Sequence, residues 1–544
     1  MDFFVGVDVG TGSARAALVS SGGKIISTAV HPITTFNPQP GFYEQSSDDI
    51  WTAVCHVVKK VVTGSSKERI KGIGFDATCS LVAIDQKGKP VTLSLTGKNN
   101  QNIILWMDHR AEKQANFING LKHEVLKYVG GKVSLEMEIP KLLWIKQNLA
   151  ITWNEAGMFF DLPDFLTWKA TDCESRSLCS LVCKWNLIAG PKGLNHWDTD
   201  YLNQIGLSDL QADNWKKIGH EFNAPGHPVG FGLTSRAAQE LGLLKGTPVG
   251  ASIIDAHAGG LGMLGCSASN ISPNFSSRLG LICGTSTCHM AVSENEIFVN
   301  GIWGPYYGAM VPGFWLNEGG QSATGKLLDH VIDTHPASER VKRKLQSNQH
   351  IQEYLQDLLE KIAVERNLKN VAYVTEELHV WPDYHGNRSP LADPTLRGMI
   401  SGLTLSSDEN DLAILYLATM QSLMYGTKHI LEALTGSGHK IETLLVCGGL
   451  SQNQLFVQSL ADATSLTVLR PLERESVLVG SAILGSCAAK FFPSVHEAIR
   501  SMGGLASVVK PTAETYSYHC KKYRVFKQMV EHQKLYKAFM SASL

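Results

Sequence analysis

The sequence of 544 residues is too long for one hydrophobic core and predicts roughly two to four domains. Hydrophobic residues make up 44% of the chain, charged residues make up 18%, and the net charge is -1. This balance excludes a strongly basic nucleic-acid binder and favours no acidic membrane surface as a partner. No apolar run reaches the ~18 residues that a membrane span needs, and the N-terminus lacks the basic region of a secretory signal.

Eleven cysteines are spread along the chain, and no two of them form a metal-type CxxC pair. Without a secretory signal, they are expected to be reduced thiols in a reducing compartment. Several of them lie in apolar or glycine-flanked segments, where cysteine acts as a small buried residue. Composition and cysteine usage together predict a cytoplasmic protein.

The chain opens with a predicted meander of three strands, at residues 3–9, 14–19 and 24–30. The turn after the first strand contains Gly10 and Gly12, which allow positive φ angles, so that backbone N–H groups can point at an anion. Hydroxyl groups and a positive charge lie in or beside this turn, on Thr11, Ser13 and Arg15. Most hairpins of this composition are only turns, so the alternative of a plain turn stays open.

A helix is predicted to follow, capped by Ser47, with apolar residues at helical spacing from Ile50 to Val61. A strand at residues 69–75 then ends in the polar sequence Asp76-Ala-Thr-Cys-Ser80. Residues from about 100 to 250 read as an inserted, mainly helical lobe. Its Lys184 follows an apolar run, and a lysine in that position usually extends to solvent.

The middle of the sequence holds Asp255, directly after the apolar run 249–254 and ahead of glycines at 259, 260 and 262. A carboxylate fixed at the end of a buried strand, beside small residues that let a substrate approach, suits a general base. The alternative is an aspartate that caps a helix.

The order of strands, helix and strand recurs in the second half of the sequence. The predicted strands there lie at residues 277–283, 288–292, 297–299 and 442–446. A helix is predicted at 411–434, and the stretch 317–322 is predicted to open another. The glycine-containing turns are Gly284-Thr285-Ser286 and Gly448-Gly449. This recurrence predicts an internal duplication that is joined near residues 264–276.

Two nucleotide-binding motifs are excluded. Residues 320–326 read as GxxxxGK, but Leu327 stands where a P-loop needs a hydroxyl, and we expect no buried strand before it. The turn at Gly10 and Gly12 leads into another strand and not into a helix, which argues against a dinucleotide-binding domain and hence against a dehydrogenase.

Four separated motifs occur in the order that one family shows: DVGTGSARAAL, SIIDAHAGGLG, CGTSTCHM and VCGGLSQN. On these motifs the chain resembles the FGGY carbohydrate kinases, and FDATCS, WMDHRA, the Lys184 segment and NEGGQS resemble their ribulokinase branch. The resemblance implies an α/β fold of two actin/sugar-kinase-like (ribonuclease H-like) domains with an interdomain cleft. The domains would be residues 1–266, with the inserted lobe, and 267–544, with a C-terminal helix.

The resemblance also implies a role for individual residues. Asp255 would be the general base, and Asp8 together with Asp255 would position Mg²⁺. The sugar would be bound by Cys79 (through its backbone), Lys184, Asp255 and Glu318. ATP would be bound by Gly10, Thr11, Gly12, Ser13, Arg15, Gly284, Thr285, Gly448, Gly449, Leu450 and Asn453. Thr78, Asp108 and Arg110 are weaker sugar candidates, and the last two could equally form a structural ion pair.

These residues predict an ATP- and Mg²⁺-dependent kinase that phosphorylates the terminal (C5) hydroxyl of a pentulose, with D-ribulose as the first candidate. L-ribulose, xylulose and ribitol stay open as substrates. The rival class is a non-catalytic actin- or chaperone-like nucleotide switch. A switch has no use for a sugar-binding lysine and glutamate such as Lys184 and Glu318. The expected partners are a small sugar and ATP, without nucleic acid or membrane, and a homodimer is left open.

Overall fold

The computed structural model describes residues 1–347 and 349–541. Its contacts divide the chain into two compact units, each built from three segments. The first unit comprises Met1–Ser276, Met290–Asn317 and Pro471–Ala506, and the second comprises Ser277–His289, Glu318–Arg470 and Ser507–Leu544. The predicted boundary at residues 266–267 lies close to the end of the first of these segments.

The strands of the described residues are numbered β1 to β20 in chain order. They are Phe3–Val9, Ser13–Ser20, Ile25–Pro32, Glu44–Gln45, Ile70–Ala77, Leu81–Ile84, Ile103–Ile104, Met158–Asp161, Arg176–Ser177, Phe222–Asn223, Ile253–Ile254, Arg278–Cys283, Thr287–Ser293, Trp303–Tyr307, Trp315–Gln321, His379–Trp381, Met399–Ser401, Thr443–Cys447, Thr467–Pro471 and Ala506–Val509.

The α-helices, α1 to α18, are Ser47–Val62, Glu112–Leu121, Glu138–Asn148, Ala150–Glu155, Leu162–Thr171, Leu178–Lys184, Thr199–Gln204, Ala212–Trp215, Ser235–Leu241, Asp255–Leu264, Gly325–Thr334, Ser338–Lys344, Ile351–Glu365, Glu409–Gly436, Gln454–Thr464, Ser476–Ala488, Val495–Met502 and Tyr516–Ser541. None of them has the length and apolar character of a membrane-spanning helix.

The central sheet of the first unit has the strand order β11-β5-β1-β2-β3. The predicted meander is confirmed, since β1, β2 and β3 pair antiparallel in sequence. In contrast, β5 is parallel to β1, and β11 is parallel to β5. The predicted helix α1 is present, but it starts at Ser47, and the residue that caps it is Ser46 and not Ser47. The Ser46 hydroxyl accepts a hydrogen bond from the Asp49 amide at 3.3 Å.

The predicted inserted lobe is mainly helical, and it is not wholly separate from the main core. Aromatic and aliphatic residues of α5 and α9, including Phe165 and Leu241, belong to the same buried cluster as Val7 and Phe75 of the central sheet. The more distant part of the lobe carries α2, α3 and α4. Residues 100–250 therefore contribute both to the core of the first unit and to its periphery.

Glycines allow α16 to lie directly on the central sheet of the first unit. A Cβ added at Gly6, Gly72 or Gly74 would overlap a backbone carbonyl oxygen of α16. On the other side of this helix, a Cβ at Gly480 would overlap the carbonyl oxygen of Ala258 in α10. The missing side chains let strand and helix backbones approach more closely than any other residue permits.

The second unit repeats the arrangement of the first. Its central strands have the order β13-β12-β18-β19, and β18 runs parallel to both β12 and β19. The strand β18 follows the long helix α14, as β5 follows α1. The predicted helix at 411–434 and the predicted strands at 277–283, 288–292 and 442–446 are confirmed, with ends that differ by one or two residues.

Three predictions for the second half of the sequence are wrong. Residues 297–299 are not in a strand, and the next strand is β14. The stretch 317–322 does not open a helix, because it lies mostly in β15, and α11 begins only at Gly325. A buried strand therefore does precede the GxxxxGK sequence, and only the missing hydroxyl at Leu327 still argues against a P-loop.

The C-terminal helix α18 is attached firmly to the second unit. The ammonium group of Lys522 is buried and donates hydrogen bonds to the carbonyl oxygens of Thr375 and Leu378, at 2.7 and 2.6 Å. Phe526 packs on Trp381 with ring centroids 4.4 Å apart. These contacts give α18, the expected C-terminal helix, a structural role in the second unit.

We expect Gly74→Ala to lower the stability of the first unit by about 1–3 kcal/mol, since the new methyl group must displace α16 from the sheet. The matched control is Gly22→Ala, because no heavy atom lies within 4 Å of a Cβ built at Gly22. Thermal unfolding of the two variants and the wild type measures the difference. Equal melting temperatures for both variants would contradict close helix packing on the sheet.

Candidate active site

Three carboxylates of the first unit lie at the ends of neighbouring parallel strands. Asp8 lies near the end of β1, just before the turn. Asp76 is the residue of β5 that pairs with it. Asp255 follows β11, whose last residues pair with Asp76 and Ala77. Because the carboxyl ends of parallel strands share one edge of a sheet, the topology brings the three acids together. Ligands of open α/β sheets bind at such an edge.

Asp255 is the first residue of α10 and keeps part of its surface accessible. The Asp255 side chain makes a local contact at the start of the helix: its Oδ1 accepts a hydrogen bond from the amide of the next residue, Ala256, at 2.7 Å. Burial and the charge of Asp8 raise the pKa of Asp255 to about 6, against the opposing effects of Ala256 and Lys184. A carboxylate with a pKa near neutrality is suited to accept a proton from a substrate hydroxyl.

Asp76 was missed by the sequence analysis, although its position at a strand end was visible. It is fully buried, and burial together with the charge of Asp8 raises its pKa well above the usual range. Its Oδ2 accepts a hydrogen bond from the Ser481 hydroxyl of α16. Burial and the neighbouring Asp8 thus favour the protonated form of Asp76, which limits the negative charge at this edge.

Arg15 lies on β2 and pairs with two carboxylates of the first unit. Its Nε donates to Asp8 Oδ2 at 2.7 Å, and its Nη1 donates to Glu475 Oε2 at 2.9 Å. Arg15 was predicted to contact ATP, but much of its hydrogen-bonding capacity is directed at these two acids. Its clearest role in the structure is to orient Asp8 and to compensate its charge.

The turn between β1 and β2 does not use the conformational freedom of its glycines. A positive φ is allowed at Gly10 and Gly12, but neither residue adopts one. The Gly10 amide donates to the Ser13 carbonyl at 3.0 Å and closes the turn. Thr11 is held in place by the Trp106 indole, which donates to Oγ1 at 3.1 Å. Gly12 is exposed, with open space around the position of a Cβ.

Lys184 ends α6 and does not extend to solvent, contrary to the usual behaviour of such a lysine. Its side chain is buried, and Nζ lies 4.6 Å from the centroid of the Trp303 ring. Burial raises the pKa of the Cys79 thiol well above its usual range, although the Lys184 charge lowers it. Lys184 is thus electrostatically coupled to Cys79 and to Asp255. Thr78 is buried beside Cys79, with its Oγ1 3.2 Å from the Ser80 hydroxyl.

Glu138 is a buried acid on α3 whose pKa is affected by the charge of Lys184, and it was not predicted to be a site residue. Burial raises its pKa to about 7, and the charges of Lys141 and Lys184 oppose this effect. Its Oε1 accepts a hydrogen bond from Lys141 at 3.4 Å. No sequence motif marks Glu138, because Lys141 lies on its own helix and Lys184 lies on the distant α6.

Asp108 and Arg110 form a structural ion pair, as one of the two predicted alternatives had it. Arg110 donates to both carboxylate oxygens of Asp108, at 2.8 and 2.7 Å, and to Glu44 at 2.9 Å. A further bond reaches the Leu93 carbonyl, and the guanidinium lies 4.2 Å from the centroid of Phe42. The guanidinium is directed at protein groups on every side.

In the second unit, the turn after β12 packs against the start of α11. The amides of Thr324 and Gly325 donate to the carbonyls of Thr285 and Gly284, at 2.9 and 3.1 Å. A Cβ at Gly325 would lie 2.7 Å from the Gly284 oxygen. Gly284 and Thr285 themselves are exposed. Thr324 and Gly325 therefore shape the predicted phosphate turn and were not identified from the sequence.

The turn after β18 needs glycine at one position for conformation. Gly448 has a φ of 89°, and a Cβ there would lie 2.5 Å from the Cys283 oxygen. Gly449 is different: no heavy atom lies within 4 Å of its built Cβ. The exposed face of Gly449 leaves room for a flat ligand close to the backbone.

Of the other two predicted adenosine residues, Leu450 is buried behind the turn. Asn453 caps α15 by accepting a hydrogen bond from the Phe456 amide at 3.1 Å. Its Nδ2 donates to Tyr416 Oη at 3.1 Å and to Gln352 Oε1 at 3.2 Å. Asn453 thus has an evident structural function. Glu318 lies buried on β15, in the second unit.

Comparison with known proteins places this geometry in a family. Residues 3–262 match the N-terminal domain, and residues 279–489 the C-terminal domain, of the FGGY family of carbohydrate kinases. The FGGY carbohydrate kinase domain-containing protein of Homo sapiens is 53% identical over 99% of this chain and 98% of its own length. The D-ribulokinase of Saccharomyces cerevisiae is 40% identical over 95% of this chain and 76% of its own length.

The fold agrees with solved structures of sugar kinases. The crystal structure of xylulose kinase from Rhodospirillum rubrum superposes with a TM-score of 0.76 at 17% identity, over 98% of this chain and 99% of that one. The identity is low, so this likeness shows the fold alone. With both family domains matched, the chain belongs to the FGGY family of carbohydrate kinases, phosphotransferases that use ATP and an alcohol group as acceptor.

Proposed function

We propose that this enzyme transfers the γ-phosphate of ATP to the terminal C5 hydroxyl of a pentulose, with D-ribulose as the substrate. The observation that carries the proposal is Asp255, whose pKa is raised to about 6 and which is electrostatically coupled to the buried Lys184. The name of the yeast relative, a D-ribulokinase, supports the choice of sugar.

In the proposed reaction, the Asp255 carboxylate accepts the proton of the C5 hydroxyl as that oxygen attacks the γ-phosphorus in line. The bond from the γ-phosphorus to the bridging oxygen breaks, and ADP leaves with the electron pair. Lys184 and Glu318 supply a donor and acceptors for the sugar hydroxyls, and the backbone of Cys79 supplies a third contact.

The residues also fit a magnesium ion. Asp8 and Asp255 offer carboxylate oxygens, which are the ligands that Mg²⁺ prefers. Arg15 donates to Oδ2 of Asp8 and so orients this carboxylate. When bound, Mg²⁺ would neutralise negative charge on the phosphate groups.

For ATP, we propose that the turn from Gly10 to Ser13 faces the γ-phosphate, and that Gly284 and Thr285 contact the phosphates from the second unit. Gly448, Gly449, Leu450 and Asn453 would line the adenosine site. Because Arg15 pairs with Asp8 and Glu475, we assign it to orienting Asp8 and not to holding phosphate. Leu450 and Asn453 act through the shape of the turn.

The rival function is a nucleotide switch without a sugar substrate. Against it stands the position of Lys184. This lysine is buried over Trp303, and its charge acts on Asp255. A switch needs no lysine beside a carboxylate that is suited to accept a proton. L-ribulose, xylulose and ribitol are the alternative substrates.

We expect Asp255→Asn to lower kcat by about 10²–10⁴-fold, the usual contribution of a general base. A coupled ADP-release assay with ATP, Mg²⁺ and a panel of pentuloses and pentitols measures it. Asp198→Asn is the matched control, because Asp198 caps α7 through the Tyr201 amide at 2.9 Å. Turnover that depends on one sugar and is lost only in Asp255→Asn supports the proposal. ATP hydrolysis without any sugar would instead favour the switch.

We expect Lys184→Met to raise the KM for the sugar by about tenfold or more, since a charged hydrogen bond contributes about 1.5–3 kcal/mol. The KM for ATP should stay within about twofold. Lys127→Met is the control, because Lys127 also lies over aromatic rings, 5.2 Å from the Tyr128 centroid, but on the surface. Equal changes in both KM values would argue that Lys184 supports the fold and not the sugar.

The two glycines after β18 separate folding from nucleotide binding. Gly449→Ala should leave the melting temperature unchanged and raise the KM for ATP, because its methyl group would occupy the open space beside the turn. Gly448→Ala should lower the melting temperature, since φ is positive there and the methyl group meets the Cys283 oxygen. Thermal shift and ATP titration distinguish the two. An unchanged KM in Gly449→Ala would remove this turn from the ATP site.

A further inference from the structure

Two thiols and an imidazole form a buried cluster in the first unit, apart from the carboxylates described above. Cys179 and Cys183 are four residues apart on α6, so their side chains share one face of the helix. His257 is the third residue of α10. All three are fully buried, and their ligand atoms lie within 4.8 Å of one another.

The spacing of this cluster is close to that of a zinc site. Cys183 Sγ lies 3.5 Å from His257 Nε2. With Zn–S near 2.3 Å and Zn–N near 2.0 Å at tetrahedral angles, the sulfur–nitrogen edge is about 3.5 Å and the sulfur–sulfur edge about 3.8 Å. The three ligand atoms therefore need to move by about 1 Å or less to bind one ion.

Charge balance also favours an ion at this place. A divalent cation bound by two thiolates and a neutral imidazole carries no net charge, which a buried site tolerates. Binding releases the two thiol protons to solvent and changes no oxidation state. Sulfur and nitrogen ligands select Zn²⁺ or Cd²⁺ over Mg²⁺, which prefers oxygen.

We propose that Cys179, Cys183 and His257 form a binding site for a soft divalent cation of the Zn²⁺ class, and that its occupancy inhibits the kinase. The site is connected to the candidate active site through two short stretches of chain. Lys184 follows Cys183 directly, and Asp255 is two residues before His257. Drawing the three ligands together therefore displaces the end of α6 and the start of α10.

The expected size of the inhibition follows from that displacement. A misplacement of about 1 Å in a catalytic or substrate-binding group can lower the rate by about 100-fold. Both Lys184 and Asp255 would be affected, so kcat/KM for the sugar should fall by up to this factor. Because the ligands are buried, the ion should bind slowly, and incubation before the assay is needed.

The test uses the full-length, reduced protein, dialysed against Zn²⁺ and then against buffer, with retained zinc measured by mass spectrometry. We expect one ion per chain, and loss of this ion in Cys179→Ser and in Cys183→Ser. Cys266→Ser, which changes another buried thiol of the first unit, should retain it. The zinc-treated wild type should lose activity and regain it with a zinc-selective chelator.

A measurement on the wild type alone guards against variants that do not fold. X-ray absorption at the zinc edge should show two sulfur ligands at about 2.3 Å and a nitrogen ligand at about 2.0 Å. No retained zinc, or a shell of oxygen and nitrogen only, would overturn the site. Inhibition that persists in folded Cys179→Ser and Cys183→Ser would overturn the link between this site and activity.

Discussion

The parallel pairing of β11, β5 and β1 is the constraint on which the first unit depends. It brings Asp255, Asp76 and Asp8 to one edge of a sheet, although they are far apart in the chain. The pairing is covered by α16, which reaches the sheet only because the residues beneath it are glycines. A closely packed helix excludes water from one side of the strand ends. Burial at this edge raises the pKa values of Asp76 and Asp255.

Three acids in so small a region would repel one another if all were ionised. The structure distributes the charge in three ways. Arg15 compensates the charge of Asp8. Burial and the charge of Asp8 raise the pKa of Asp76, although the hydrogen bond from Ser481 opposes this effect. Burial and Asp8 also raise the pKa of Asp255, to about 6. As a result, Asp8 is oriented by Arg15, the protonated form of Asp76 is favoured, and Asp255 is suited to accept a proton. This division of roles follows from environment and not from residue type.

Much of the fold could be predicted from the sequence, because its cues are local. The meander, α1 and α14 follow from alternation and helical spacing, which depend on residues near in the chain. The prediction for residues 317–322 is wrong because it rested on local cues alone. Their glycines and polar residues indicate a turn or a helix start, but tertiary pairing places most of them in β15. Lys184 and Asp255 were found through motifs that the family shares.

Other site features could not be found in this way. The pKa of Asp76 is raised by burial and by Asp8, which only the tertiary structure brings about, and Glu138 depends on lysines from its own helix and from α6. Composition shows that Gly10 and Gly12 can adopt a positive φ, but it does not show that the turn leaves this freedom unused. Asp108 and Arg110 looked like candidates for the sugar until their full set of partners was visible.

The position of α16 in the chain has a consequence for synthesis. This helix lies roughly 200 residues beyond Ser276, yet it covers the sheet that the first residues form. At about 5–20 residues per second, the ribosome needs about 10–40 s to supply it. During that interval the glycine-rich face of β1 and β5 has no native cover. The nascent chain thus remains open to misfolding or to a chaperone, and its first unit cannot complete its packing until α16 has been synthesised.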